Sequence, residues 1–126
     1  MAFGTLKADT LTHSTAGSLA TNYVVNGSSK VWVATEYSSG TPVISDSLNV
    51  SSVSDDDTGE MTFSISSALS SANFSITTGP FGGTGAGNMT NITWFDRTTS
   101  AYSILTVDNG TREDRETGTT VMGDLA

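Results

Sequence analysis

The sequence predicts an all-β fold, an antiparallel β-sandwich of jelly-roll-like or barrel-like form built from about eight to ten short strands. Three observations carry that expectation. Apolar and polar residues alternate in short runs, as in "EMTFSI", where Met61, Phe63 and Ile65 share one face. Clusters of Gly, Asn, Asp and Ser separate the runs and supply turn conformations. Ser and Thr together make up about a third of the chain, and only "SSALSSAN" has the character of a helical turn.

Taken in order, "FGTLKADTL" (Phe3 to Leu11) sets Leu6, Ala8 and Thr10 against Lys7 and Asp9, as a strand does. "THSTAGSLAT" has loop composition. "YVVNGSSKVWV" then suggests a hairpin, Tyr23 to Val25 and Lys30 to Tyr37, turning at Asn26-Gly27, because both residues tolerate positive φ. "SSGTP" breaks the pattern and Val43 to Val53 resumes it. "SDDDTG" turns the chain into "EMTFSI", and "NFSIT" follows with Phe74 and Ile76 on one face. "GPFGGTGAGN" spends five glycines and a proline on a loop. "MTNITWF" and "AYSILTV" are two further strands, with Ile92 and Trp94 opposite Asn91, Thr93 and Phe95. "DNGTREDRETG" is a charged loop and "TTVMGDLA" a last short strand. All of this fits one domain over 1–126, with 1–20 as an N-terminal docking arm that pairs with another subunit's edge or lies along its own sheet.

Composition narrows the function. Leu, Ile, Val and Phe reach only about a fifth of the chain, a thin core that a shared subunit interface would secure, so a homotrimer is expected. With 13 acidic and 5 basic side chains and a formal charge of −8, the chain lacks the clustered cations that nucleic acid or an anionic membrane requires. It has no cysteine, hence no disulfide or thiolate chemistry. No run reaches the roughly 20 apolar residues of a membrane span, and "MAFGTLKADTLTH" does not read as a signal peptide, so synthesis in a cytoplasm is expected.

No catalytic, cofactor-binding or metal-binding residue is assigned from the sequence. Asp55, Asp56, Asp57 and Glu60 could offer oxygens to Ca²⁺, but the spacing lacks the long EF-hand register, and a solvated turn is the expectation. His13 is the sole histidine; acid–base chemistry would run through it, with Asp9 and Ser14 nearest, yet "LTHST" carries no activated-serine signature. Asp46, Asp96 and Asp108 lie near strand ends, where turn carboxylates are common; a glycosidase-type pair among them stays open. Gly79 to Gly87 has no Lys-Ser/Thr ending and no helix after it, so it is not a phosphate loop. Asn26, Asn49, Asn73, Asn88, Asn91 and Asn109 begin Asn-x-Ser/Thr triplets and are read as turn chemistry rather than glycosylation sites. Trp32, Trp94, Tyr37 and Tyr102 are core residues, or else stacking platforms for sugars or anchors of an interface.

The segments "ADTLTHSTAGSLATNYVVNGSSKVWV" and "SLNVSSVSDDDTGEMTFSISSALSSANFSI", with the ending "GDLA", resemble small virion proteins of tailed bacteriophages, marine ones above all. The resemblance covers most of 5–78 and the C-terminal tail; 79–116 lies outside it. It implies a non-enzymatic virion surface component: a capsid decoration (cement) protein bound to the major capsid protein, or a head-fibre or tail-fibre module that binds host glycans. It brings no site residues with it. A small glycan-cleaving enzyme is the third reading, and no site in the sequence favours it.

Overall fold

A computed structural model describes residues 8–14, 17–80 and 89–126. These form eleven strands and one short helix. At the N-terminus, β1 (Thr10–His13) pairs antiparallel with β2 (Gly17–Ala20), and α1 (Thr21–Gly27) follows directly. The remaining strands are β3 (Val31–Ser38), β4 (Thr41–Leu48), β5 (Val50–Asp57), β6 (Glu60–Ile65), β7 (Ser75–Pro80), β8 (Met89–Arg97), β9 (Ala101–Asp108), β10 (Thr111–Arg112) and β11 (Thr117–Met122). One antiparallel sheet runs β4-β3-β11-β7. The other runs β5-β6-β9-β8, and β10 continues the β6 lane by pairing with the end of β9.

Local chemistry explains the corners. Ser39 and Gly40 both adopt positive φ between β3 and β4, as do Asn109 and Gly110 between β9 and β10, the two-residue turn whose twist suits adjoining strands. Asn49, at φ 61°, carries the chain from one sheet to the other. Its side chain holds that corner by accepting the Ser67 N–H at 2.7 Å and donating to the Ser67 carbonyl at 3.0 Å. Gly59, at φ 73°, lies buried beneath 113–114: its N–H donates to Asp114 Oδ1 at 2.7 Å, and its carbonyl accepts the Thr106 N–H at 2.8 Å. A Cβ there would meet the Thr106 carbonyl at 2.6 Å.

The two sheets bury each other. Val31 and Val33 of β3 and Val121 of β11 face Met61, Phe63 and Ile65 of β6 and Tyr102 and Ile104 of β9, with Leu69 and Phe74 closing one end. Tyr102 stacks on Phe63 at 5.1 Å and meets the Phe74 ring edge-on at 6.4 Å. Its hydroxyl crosses to Thr119 Oγ1 of the opposite sheet at 2.5 Å. The buried threonines replace apolar bulk without leaving polar atoms stranded. Thr35 Oγ1 accepts the Thr117 N–H at 3.1 Å, Thr117 Oγ1 points at Met61 Sδ across the sandwich, and Thr106 Oγ1 bonds the Gly59 and Glu113 carbonyls. The thin apolar fraction is therefore reconciled within one chain.

Several local expectations are corrected. Tyr23–Val25 is helical, because both edges of β3 are taken by β4 and β11 and none is left for a hairpin partner. Lys30 Nζ and Ser28 Oγ gather on the Val25 carbonyl and stop the helix there. "SSALSSAN" is not helical: Leu69 N–H donates to the Thr99 carbonyl and Ser70 N–H to the Asp124 carbonyl, both at 2.8 Å, so its backbone is spent on distant segments. "THSTAGSLAT" is not wholly loop, since Thr10 and Leu11 pair with Ala20 and Leu19. The described end of the proposed arm thus pairs with 17–20 in a small hairpin separate from the two main sheets; 1–7 lie outside the described residues. Val43 to Val53 is two strands in different sheets, broken at Asn49.

Two outcomes follow for stability. Gly59→Ala should cost about 2–4 kcal/mol, the left-handed penalty plus the overlap with Thr106, whereas Gly110→Ala, at φ 80° in open space, should cost about 1–2 kcal/mol; urea unfolding of both variants measures the difference. Burial, opposed by the weaker effect of the Thr119 bond, pushes the Tyr102 phenol up to about 12. The folded state therefore favours the neutral phenol, and this contribution is complete below the ordinary value near 10 and lost as pH rises through about 12. Thermal melts should hold steady to about pH 9 and fall above 10, and Tyr102→Phe should flatten that alkaline limb while losing about 1 kcal/mol at neutral pH.

Candidate functional site

The open side of the sandwich, between edge strands β7 and β8, gathers the most distinctive side chains. Antiparallel partners share a face, so Ile92 (opposite Thr106) and Trp94 (opposite Ile104) lie on the inward row of β8. Strict alternation would place Asp96 next. Instead the register shifts between Trp94 and Arg97, and Arg97 sits opposite Tyr102, so a β-bulge sets arginine on the row where aspartate was due. The Arg97 guanidinium lies 4.5 Å from the Trp94 ring centroid and 5.8 Å from that of Phe74. It donates from Nη1 to the Phe74 carbonyl at 2.9 Å, and Thr78 Oγ1 donates to the Ile92 carbonyl at 3.3 Å, so two bonds tie the sheet edges together. Between them lies a groove of about 470 Å³ lined by Asn73, Phe74, Ser75, Ile76, Trp94 and Arg97.

A second cluster is electrostatic. Arg112 pairs with Glu60 and lies 4.0 Å from Asp57, and Arg115 bridges Asp108 and Glu113 at 2.9 Å each. Asp56 accepts the Ser54 hydroxyl and Asp57 the Thr58 N–H. Glu60, Asp56 and Asp57 are thus engaged by protein partners, and among the described residues no three His, Asp or Glu side chains gather as metal ligands. Tyr37 has a hydroxyl without a partner among the described residues. Burial first, and the charges of Asp114 and Asp55 next, hold it above the ordinary tyrosine range, so it stays a neutral phenol.

The chain, compared with protein-family models, curated proteins and solved structures, matches none of them.

The other residues singled out in the sequence are dispersed. β1 ends at His13, whose side chain lies outside the described residues, and the Asp9 carbonyl is taken by the Thr21 N–H. Asp46 accepts the N–H of Ser47, Asp96 is exposed in the β8 bulge, and Asp108 is committed to Arg115. Gly79 ends in β7 opposite Gly118, and 81–88 lie outside the described residues. Of the aromatics, Tyr102 is core, Tyr37 and Trp32 are half-buried, and Trp94 alone of the four is exposed, at 39%. Arg97 was missed, because nothing in "TWFDRTT" marks the bulge that turns it inward. Among the described residues, no helix is long and apolar enough to cross a membrane.

Since Asp56, Asp57 and Glu60 of "SDDDTGE" bond within the chain, excess chelator should leave the melting temperature unchanged to within about a degree, as differential scanning fluorimetry would record; a tight ion would instead contribute several kcal/mol by mass action.

Proposed function

We infer that the chain is a non-enzymatic structural protein of a bacteriophage virion, a capsid decoration protein seated on the outer head surface after synthesis in the host cytoplasm. The observation that carries this reading is where the unburied apolar surface lies. Of the ten large hydrophobic side chains exposed among the described residues, five crowd into the short hairpin and helix of 8–28, Leu11, Leu19, Tyr23 (66%), Val24 and Val25, and the other five, Leu48, Trp94, Phe95, Met122 and Leu125, are spread over the much longer sandwich. Apolar surface concentrated in one small terminal unit suits a docking element that is covered on assembly. The occupant we assign to it is the major capsid protein, with a homotrimer as the docked form. The resemblance of 5–78 to phage virion proteins supports the same reading, as does an acidic, hydroxyl-rich surface that repels polyanions.

A head-fibre or tail-fibre module that grips host glycans is the second reading, favoured by the exposed Trp94 in the edge groove. Stoichiometry of purified virions separates the two. Decoration expects a copy number comparable to that of the major capsid protein, and a fibre a small fraction of it. Removing 1–28 should leave a folded sandwich that no longer binds capsids stripped of the native protein. Light scattering should give the intact chain about three times its 13.0 kDa mass. A truncated chain that still decorates capsids at full occupancy overturns the docking assignment.

A further inference from the structure

The geometry points to the β7–β8 edge groove as a binding site for a sugar that carries a carboxylate, of the uronic or sialic acid class. The first ground is charge. Arg112 and Arg115 are each held by two carboxylates and Lys30 caps α1, but Arg97 has no carboxylate within ion-pair distance among the described residues, in a chain of net charge −8. Its planar fork has five donors, and the bond to the Phe74 carbonyl uses Nη1. Aromatic rings at 4.5 and 5.8 Å fix the guanidinium without neutralising it. A cation so fixed is pre-organised for a bidentate carboxylate.

The second ground is the bulge. It exchanges Asp96 for Arg97 on the inward row, and bulges recur where a side chain is re-aimed towards a ligand. The third is the remaining lining. Trp94 keeps 39% of its surface open although it sits on the inward row; with the Arg97 guanidinium 4.5 Å from its ring centroid, a pyranose whose C–H side meets the open part of the indole would bring its carboxylate beside the cation. Asn73 and Ser75, both exposed, stand on the β7 side with an amide and a hydroxyl suited to ring hydroxyls. A groove of about 470 Å³ accommodates one or two sugar rings and lies within the usual range for small ligands. An acidic peptide would satisfy Arg97 but offers no flat C–H face to the indole. The net charge disfavours polyanions, so a single carboxylate is the better match.

This assignment deepens the glycan-binding reading above, yet its test needs no virion, so each can fail without the other. The full-length ¹⁵N-labelled protein is titrated with sialyllactose and methyl glucuronide, with lactose and methyl glucoside as uncharged counterparts. The expected result is saturable shifts of the Trp94 indole N–H, the Arg97 Nε–H and the Asn73 amide, with the acidic sugars binding about tenfold more tightly than the neutral ones. Trp94→Ala should abolish binding, and Arg97→Gln, which removes the cation, should erase the preference for acid. Asn73→Ala, at an exposed position, should weaken binding several-fold and guards against a Trp94 variant that fails to fold. The assignment is overturned if neither acidic sugar moves these resonances, if acid and neutral sugars bind equally, or if a tri-glutamate peptide binds there more tightly than the sugars.

Discussion

The constraint on which the fold depends is the need to fill a sandwich core with hydroxyl-bearing residues. Among the described residues ten buried hydrophobic residues share the interior with Thr35, Thr106, Thr117 and Thr119, and each buried hydroxyl left without a partner would cost about 1–3 kcal/mol. The Tyr102 hydroxyl reaching Thr119 is the clearest solution, because it spans the two sheets and fixes their spacing and their relative register. Phe63 and Phe74 pack on the same ring, so one side chain joins β9, β6, the segment before β7, and β11. At the other end of β9 the Thr106 contacts pin the β5–β6 turn at Gly59 and the segment at Glu113. A core of this kind is ordered by directional bonds as much as by apolar area.

Directional bonding also explains the edges. A sandwich of two four-stranded sheets leaves four edge strands, and here β4 and β5 are consecutive in sequence and joined at Asn49. The opposite pair, β7 and β8, is separated in sequence by 81–88 and is tied by side-chain bonds to carbonyls, Thr78 to Ile92 and Arg97 to Phe74. The bulge that supplies Arg97 therefore acts twice: it closes the open side, and it sets a cation beside an exposed indole at the mouth of the groove.

Strand existence was legible in the sequence wherever alternation was uninterrupted. "EMTFSI" and "AYSILTV" sit where the pattern puts them, and Asn109-Gly110 forms the tight turn its composition suggests. Asn26-Gly27 carries the same dipeptide and ends a helix instead, because pairing is decided by which edges are free, a long-range property absent from eleven residues of sequence. The helix itself is built from β-branched and aromatic residues, against their local preference. The aromatics were recognisable as a group, but Trp94 is exposed because β8 is an edge strand and Tyr102 buried because β9 is a central one, and Arg97 owes its position to a one-residue insertion that no composition rule marks.

The chain therefore divides its labour by chemistry. Residues 31–126 satisfy their own interior, and the large hydrophobics they expose, Leu48, Trp94, Phe95, Met122 and Leu125, are thinly spread over a long segment. Residues 8–28 do the reverse: their bonds are local, as between Thr21 Oγ1 and the Ala8 carbonyl or Thr12 and Ser18, and their apolar side chains face outward. A unit with that balance gains more from burial against another surface than from anything within itself, since covering several half-exposed Leu, Val and Tyr side chains contributes on the order of 1 kcal/mol or more each. Under the proposed docking, attachment would fall to the terminal unit and leave the β7–β8 groove, on the sandwich, open to the proposed ligand.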